Sequence, residues 1–521
     1  MQVVTAAQMR EMDQQTIASG IASGAELMDR AGRGLARSVL QICSWRKLTY
    51  PRIVMLAGKG NNGGDVYAAA YHLFHRFPDI EIILVGAPDQ LKGETLWHYE
   101  RVREHVACTH IAEPEMWESH AWYGGVDIVV DGLLGTGSHG APREPVAGAI
   151  RAINRARLRG ALVVAVDMPS GLCADTGCAN GDVVLADFTI TMGLPKAGML
   201  QSLAQPYLGC VDVIDIGLRP ASDEAVAKSD TVYVGGADVR LWLPPRARMS
   251  HKGTYGKVLV IGGAPGFCGA VAMAARATCC SGAGLVHVLT PAHVAGLVAE
   301  LVPEAMVHAG KCRSDGSLAS DSLSAIKHLL PDIDTVLIGP GLTRHVNGSK
   351  LITAAYQLAR DTIVLDADAL HILADAGPTL VNGAEKHLIL TPHPGEAAKL
   401  LDMIPTAVQG DRAGSVVKLA EKFQAVAVLK GAGTLVSNGK ICGVNLTGTP
   451  GMATGGSGDV LAGMITALCM QVHKPWQAAA AGVFVHGLAG NMATLAKSEI
   501  GVTAWDVLER VPEAFGQILG R

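Results

Sequence analysis

Between residues 50 and 215, short continuous apolar runs alternate with stretches whose apolar residues recur at helical spacing. The runs fall at 52–57, 81–85, 127–131, 161–166, 187–192 and 211–215, with helical patterns such as 66–76 and 146–157 between them. Continuous apolar strands joined by helical crossovers predict a parallel sheet covered on both faces. An amphipathic leader over 5–40 is expected to pack on that sheet. The alternation breaks over 220–248, where Pro244-Pro245 and several charges read as a connector. It then restarts at 257–261, 285–289, 335–338, 362–366, 387–391, 425–430 and 434–437, and closes with helices over 458–470 and 476–496. The pattern therefore predicts two α/β domains, 1–225 and 226–521.

Composition narrows the function classes. A chain of 521 residues exceeds one ordinary core, and 17% charged against 49% hydrophobic residues disfavours disorder. A net charge of −4, 4% aromatic residues and no basic stripe give no electrostatic case for nucleic acid. Mean hydropathy is +0.27, yet Gly, Pro or charged residues interrupt every apolar run before bilayer length. The first thirteen residues carry Arg10, Glu11 and Asp13 and no apolar leader core. No membrane partner and a cytoplasmic location are expected. The 11 cysteines include no zinc-type CxxC pair, so reduced, mostly buried thiols are expected.

Chemistry gathers in the loops after the strands. The run 52–57 leads straight into Gly58-Lys59-Gly60-Asn61-Asn62-Gly63-Gly64-Asp65 and a helix. Exposed amides at a helix N-terminus suit a phosphate, but the spacing matches neither common nucleotide fingerprint, and a merely tight turn explains the loop equally well. Two later strands end in carboxylates. Asp131 opens Asp131-Gly132-Leu133-Leu134-Gly135-Thr136-Gly137, and Asp167 opens Asp167-Met168-Pro169-Ser170-Gly171. A lone Asp there is usually a cap, whereas three acid-bearing loops on one sheet edge converge on a site.

These residues, with Asp175-Thr176-Gly177, resemble the NAD(P)H-hydrate epimerase domain, and the resemblance covers residues 1–220 in order. It implies a Rossmann-like three-layer αβα sandwich. It implies that Asn61, Asn62, Gly63, Gly64 and Asp65, with Gly135, Thr136, Gly137, Ser138, His139, Gly140 and Ala141, hold the hydrated dinucleotide. It also implies a potassium ion on Asn62, Asp131 and Ser170, with Asp167 as catalytic acid/base. The family usually has glycine after the loop aspartate; here Val66 stands, and its side chain is expected to crowd the ligand.

In the second half, Gly455-Gly456-Ser457-Gly458-Asp459 opens a helix. Backbone N–H groups converging on an anion, with an acid beside them to take a hydroxyl proton, are the minimal apparatus of phosphoryl transfer. Lys430-Gly431-Ala432-Gly433-Thr434 either cradles nucleotide phosphates or turns a hairpin. Gly339-Pro340-Gly341 and Asp366-Ala367-Asp368 also lie at strand ends. In Thr391-Pro392-His393-Pro394-Gly395-Glu396 the flanking prolines fix the direction of His393, which favours ligand contact.

With His251-Lys252-Gly253-Thr254-Tyr255-Gly256 and Ser281-Gly282-Ala283-Gly284, these motifs resemble the ribokinase-like superfamily and its ADP-dependent NAD(P)H-hydrate dehydratase branch, from residue 228 to the end. The resemblance implies a ribokinase-like α/β domain. It puts Ala270, Gly341, His393 and Asp459 on the hydrate, and Lys430, Gly431, Ala432, Gly433, Thr434, Gly456, Ser457 and Gly458 on the adenine nucleotide. The implied substrates are NADHX, NADPHX and ADP, with Asp459 as base and Mg2+ from phosphoryl chemistry. A homo-oligomer is expected. The alternative is a small-molecule kinase acting on a vitamin precursor, with a non-catalytic nucleotide-binding module in front.

Overall fold

The computed structural model describes residues 1–113, 117, 125–138, 140–218, 230–329, 332–344, 348–381 and 386–520. The chain divides into two compact units, Met1–Ser229 and Asp230–Arg521.

The first unit is a seven-stranded sheet of β1 (Ile53–Ala57), β2 (Ile80–Val85), β3 (Ala107–Ile111), β4 (Ile128–Gly132), β5 (Leu162–Val166), β6 (Phe188–Met192) and β7 (Cys210–Ile214). Every pairing is parallel, in the order β3-β2-β1-β4-β5-β6-β7. All five residues of β1 are fully buried, as a sheet covered on both faces requires. The order reverses between β1 and β4, so a crevice opens at the strand C-termini there. The predicted leader is made of two helices. Ala6–Ala18 and Gly24–Arg46 each begin with a reciprocal cap, Thr5 with Gln8 and Ser23 with Glu26.

The second unit is a ten-stranded sheet. Its strands are β8 (Thr231–Tyr233), β9 (Lys257–Ile261), β10 (Leu285–Pro291), β11 (Met306–Gly310), β12 (Thr335–Ile338), β13 (Thr362–Leu365), β14 (His387–Leu390), β15 (Val426–Leu429), β16 (Leu435–Ser437) and β17 (Cys442–Val444). The order is β11-β10-β9-β12-β13-β14-β15-β16-β17-β8, antiparallel only at β15-β16-β17, with its reversal between β9 and β12.

Several expectations need correction. The connector over 220–248 contains β8, which pairs with β17, and the helix Gly236–Trp242. A strand of three residues is too short to show a period. Strands β3 and β11 also escape the pattern, because each has only one buried residue. A further closing helix, Ala504–Leu519, carries Pro512 inside it, a residue that argues against helix on paper. The helix Pro475–Ala496 is, by length and composition, long and apolar enough to cross a bilayer, against the expectation that no run reaches that length. Its apolar window is entirely buried in the second unit, so a core helix accounts for it.

Candidate active sites

In the first unit the loops after β1, β4 and β5 meet at the reversal of strand order. Asn62, in the first turn of helix Asn61–Leu73, donates through Nδ2 to Leu134 O at 3.0 Å and Val166 O at 2.7 Å. That leaves Oδ1 without a donor among the described residues. Gly135 permits this closeness, since a Cβ there would stand 2.4 Å from Asn62 Oδ1. Ser170 closes the group. Its Oγ donates to Asp131 Oδ1 at 2.6 Å, its N donates to Asp131 Oδ2 at 2.8 Å, and its Oγ accepts from Leu134 N at 2.9 Å. Burial pushes the Asp131 carboxyl up to about 6, against the lowering effect of the Ser170 hydrogen bonds. Asn62, Asp131 and Ser170 thus converge as one oxygen-rich cluster, of a kind that suits an alkali cation.

Asp167 has a left-handed backbone (φ 65°), a state uncommon outside glycine and concentrated at functional sites. Three donors reach its Oδ1: Lys196 Nζ, Thr191 Oγ1 at 3.0 Å and Met192 N at 3.1 Å. None reaches Oδ2 among the described residues, so that oxygen is available to exchange a proton. Lys196 also donates to Thr191 Oγ1 at 2.8 Å and Met192 O at 3.0 Å, and is fully buried. Asp65 lies near this pair. Burial, reinforced by the charges of Asp167 and Asp13, holds its carboxyl well above the usual range.

A cavity of 140 Å³ borders the cluster, lined by Leu134, Gly135, Ser138, Gly140, Met168, Pro169, Gly171, Leu172, Cys173 and Asn180. Gly135, Ser138 and Gly140 are therefore brought to it. Thr136, Gly137 and Ala141 belong to the same loop and are half-buried or exposed, while His139 lies outside the described residues. Asn61 is exposed, but Gly63 and Gly64 press on Gly58 and Met28, so only their backbone could face a ligand. Val66 points away from this cavity. It is fully buried against Gly132 of β4 and does not line the cavity, because the helix turns it toward the sheet. Lys196 and Thr191 escaped the sequence reading, although the end of the 187–192 run pointed at them as the other strand ends had pointed at Asp131 and Asp167.

In the second unit the loops after β9, β12, β13, β14 and β15 share one edge. Lys430 Nζ donates to Asp366 Oδ1 at 2.9 Å and lies 3.9 Å from Glu396 Oε2; Thr391 Oγ1 also donates to Asp366 Oδ1, at 2.7 Å. Burial works against the Lys430 ammonium, but Asp366 and Glu396 more than offset it and its pKa stays raised. A Cβ on Gly458 would sit 3.2 Å from Lys430 Nζ, so the predicted nucleotide loop and the glycine-rich helix start do meet. Gly456 is the N-cap of helix Ser457–Leu468 with φ 94°, a conformation that favours glycine. Asp459 follows in the first turn. Burial first, then Asp366, pushes its carboxyl up to about 7 despite Lys430, a value suited to a base at neutral pH. Ser457 Oγ lies 3.5 Å from His486 Nε2, whose protonation burial lowers to about 4.

Gly431, Ala432, Gly433 and Thr434 form the turn between β15 and β16, as the hairpin reading expects. Arg412 holds this turn, donating through Nη2 to Leu429 O at 3.2 Å, Lys430 O at 3.4 Å and Gly433 O at 3.5 Å. Gly341 and Ala270 are neighbours: a Cβ on Gly341 would lie 3.3 Å from that of Ala270. His393 is the N-cap of helix Pro394–Leu401, where its Nδ1 accepts from Gly395 N at 3.0 Å. Burial and Lys430 keep the ring below its ordinary pKa, so Nε2 carries the proton and is a donor. Arg412 was missed in the sequence, since an arginine on a helix carries no motif. Glu396 was quoted there only as the end of a loop; here burial lifts its carboxyl to about 7.

Residues 24–198 match the family described as YjeF-related protein N-terminus, and 258–513 match NAD(P)H-hydrate dehydratase. The chain is 36% identical over 521 residues to the bifunctional NAD(P)H-hydrate repair enzyme Nnr of Moorella thermoacetica, covering 98% of this chain and 96% of that one. It is 37% identical to the enzyme of the same name from Coxiella burnetii, with 96% of each chain covered. An ADP/ATP-dependent NAD(P)H-hydrate dehydratase from Bacillus subtilis, co-crystallised with ATP/Mg2+, is 28% identical over 55% of this chain and 98% of its own, with a TM-score of 0.49. With both halves matched in order and the relatives covered nearly end to end, the chain belongs to the family of bifunctional NAD(P)H-hydrate repair enzymes.

Proposed function

We propose that the chain repairs hydrated NADH and NADPH in two steps: the first domain interconverts the R and S hydrates, and the second dehydrates the S form with ADP, giving AMP and phosphate. The observation that carries this reading is the start of helix Ser457–Leu468, where Gly458 lies against Lys430 Nζ and burial raises the adjacent Asp459 carboxyl to about 7. Backbone N–H groups of Gly456, Ser457 and Gly458 hold the phosphoryl oxygens while Asp459 takes the proton of the ring hydroxyl. The lone pair of the ring nitrogen then expels phosphate from the carbon that bore the hydroxyl, and loss of a proton from the neighbouring ring carbon restores the C=C double bond of the reduced nicotinamide. Residues 430–434 seat the nucleotide, and Gly341, Ala270 and His393 Nε2 orient the hydrate.

In the first domain, Asp167 Oδ2 moves one proton at the hydrated ring, which assists reversible loss of the hydroxyl and scrambles that carbon. Asn62 Oδ1, Asp131 and Ser170 fit a potassium ion, which would supply positive charge and order to the loops. Magnesium would come on the nucleotide phosphates and neutralise their charge there, since no group of three metal-ligating side chains is present among the described residues. A single-epimer dehydratase joined to an epimerase recovers the whole damaged pool.

The test incubates the protein with mixed R and S hydrates, magnesium, potassium and ADP, and follows the return of reduced-nicotinamide absorbance against ATP and no-nucleotide controls. Complete ADP-dependent recovery, faster than spontaneous epimerisation, is expected. Recovery of the S fraction alone removes the epimerase reading. No recovery with any nucleotide, or accumulation of a phosphorylated product, points to a kinase instead.

A further inference from the structure

Past Ser170 the chain of the first domain turns back on itself beside the cavity. Leu172 bridges Ala179 in antiparallel fashion, and Cys173 N donates to Cys178 O at 3.0 Å. Gly177, with φ 67°, adds a bulge, and its N donates to Cys173 O at 2.8 Å. Cys173 therefore stands opposite Cys178, with both side chains on one face of the ribbon. Backbones paired in this way hold their Cα atoms about 5.5 Å apart, inside the range of roughly 4.4–6.8 Å that a disulfide spans. Thr176 in the turn meets both sulfurs. Cys178 Sγ donates to Thr176 O at 3.9 Å. The Thr176 hydroxyl, ahead of the amides of Thr176 and Asp175, pulls the Cys173 thiol below its ordinary pKa. Burial pushes the thiols of Cys43, Cys108, Cys279, Cys280, Cys442 and Cys469 the opposite way. Cys173 is only half-buried and lines the cavity, so a small solute can reach it.

We propose that Cys173 and Cys178 are a peroxide-reactive dithiol, and that its closure to a disulfide reshapes the wall of the first cavity. The Cys173 thiolate attacks one oxygen of hydrogen peroxide; an S–O bond forms, the O–O bond breaks, and hydroxide leaves to become water. Cys178 Sγ then attacks the Cys173 sulfur. The S–S bond forms, the S–O bond breaks, and hydroxide departs with the Cys178 proton as a second water. Two thiols are oxidised and one peroxide is reduced. The tip of the hairpin is pinned, since Gly198 N donates to Ala174 O and Ala6 N donates to Asp175 Oδ1, each at 2.7 Å. Movement on closure is therefore taken up at the base, where Leu172, Cys173 and Asn180 line the cavity. That segment leads straight back to Ser170, whose Oγ and N hold Asp131. A solvent-accessible disulfide is the readily reduced kind, so a thiol reductant reopens the pair. The dithiol stands without the epimerase reading; only its effect on a rate rests on that reading.

The experiment uses the full-length protein and two variants, Cys173→Ser and Cys178→Ser. Each is treated with hydrogen peroxide, freed of it, and read by peptide mass spectrometry and by epimerisation rate, before and after dithiothreitol. The wild type should give one peptide linked between Cys173 and Cys178, lighter by two hydrogens, which dithiothreitol restores. In Cys178→Ser the reaction should stop at a Cys173 sulfenic acid, captured by a cyclic 1,3-diketone. In Cys173→Ser no such adduct should appear on Cys178. Reduced Cys178→Ser should epimerise like the wild type, because its sulfur lies off the cavity. The linked wild type should epimerise on the order of tenfold more slowly, recover on reduction, and consume the S hydrate with ADP at an unchanged rate throughout. Absence of the link at peroxide doses that leave the buried thiols reduced overturns the proposal, as does a linked protein that epimerises at full rate. A wild type that forms the link but never epimerises in its reduced state refutes the epimerase reading instead, and the two failures are thereby told apart.

Discussion

The two domains place their candidate sites at the same topological position and surround the proposed catalytic carboxylate in opposite ways. In the first, Asp167 keeps its own buried cation, and one of its oxygens is saturated by Lys196, Thr191 and Met192 N. In the second, the available ammonium, Lys430, is bound to Asp366, and Asp459 is left with burial and like charge around it. The difference matches the work proposed for each. A carboxylate that must give back the proton it takes is served by a fixed partner, whereas one that must remove a hydroxyl proton during phosphoryl transfer is served by a raised proton affinity.

The largest effect that would break the comparison comes from Asp459→Asn. It should lower ADP-dependent dehydration by about 10²–10⁴-fold and leave epimerisation untouched, which a chromatographic assay of both hydrates would show. Asp167→Asn should do the reverse, slowing epimerisation on the order of 10²-fold while the S hydrate is still consumed at the wild-type rate. Equal loss of both activities in either variant would mean that the two sites are not independent. Lys430→Met leaves Asp366 buried without its cation and should destabilise the second domain by about 3 kcal/mol, read as an earlier calorimetric transition with the first domain's transition unmoved.

The comparison sharpens with pH. Burial raises the folded Asp459 carboxyl to about 7 from its ordinary 3.8. A carboxyl raised in the folded state holds protons that the unfolded chain has already lost. Stability therefore falls as pH rises between those values, while dehydration activity rises through about pH 7 as the base form appears. Asp459→Asn should then be more stable than wild type at pH 8, by on the order of 1–3 kcal/mol. The smallest effect concerns Val66→Ala, which should cost roughly 1–2 kcal/mol of stability with the KM for the hydrate unchanged, because Val66 packs on Gly132 and not on the ligand.

Both parallel sheets were legible because their central strands are continuously apolar and end in glycine or acid. The same logic placed Asp131, Asp167, Gly341 and Lys430 at strand C-termini on the ligand-binding edge. What stayed hidden was short or depended on partners distant in sequence. Strands β8 and β17 have three residues each, and β3 and β11 are edge strands with little buried surface. Lys196 reads as a surface lysine until Thr191, Met192 and Asp167 are folded around it. The side chain of Val66 could not be assigned a direction without the helix that carries it.

The guanidinium of Arg412 has a consequence for the thermodynamics of the proposed nucleotide capture. By drawing the carbonyls of Leu429, Lys430 and Gly433 onto one side chain, it restricts the β15–β16 turn before any ligand arrives. Binding then needs little further loss of backbone freedom in that turn. Without this clasp, the same residues would have to be ordered by the nucleotide itself, with a less favourable binding entropy.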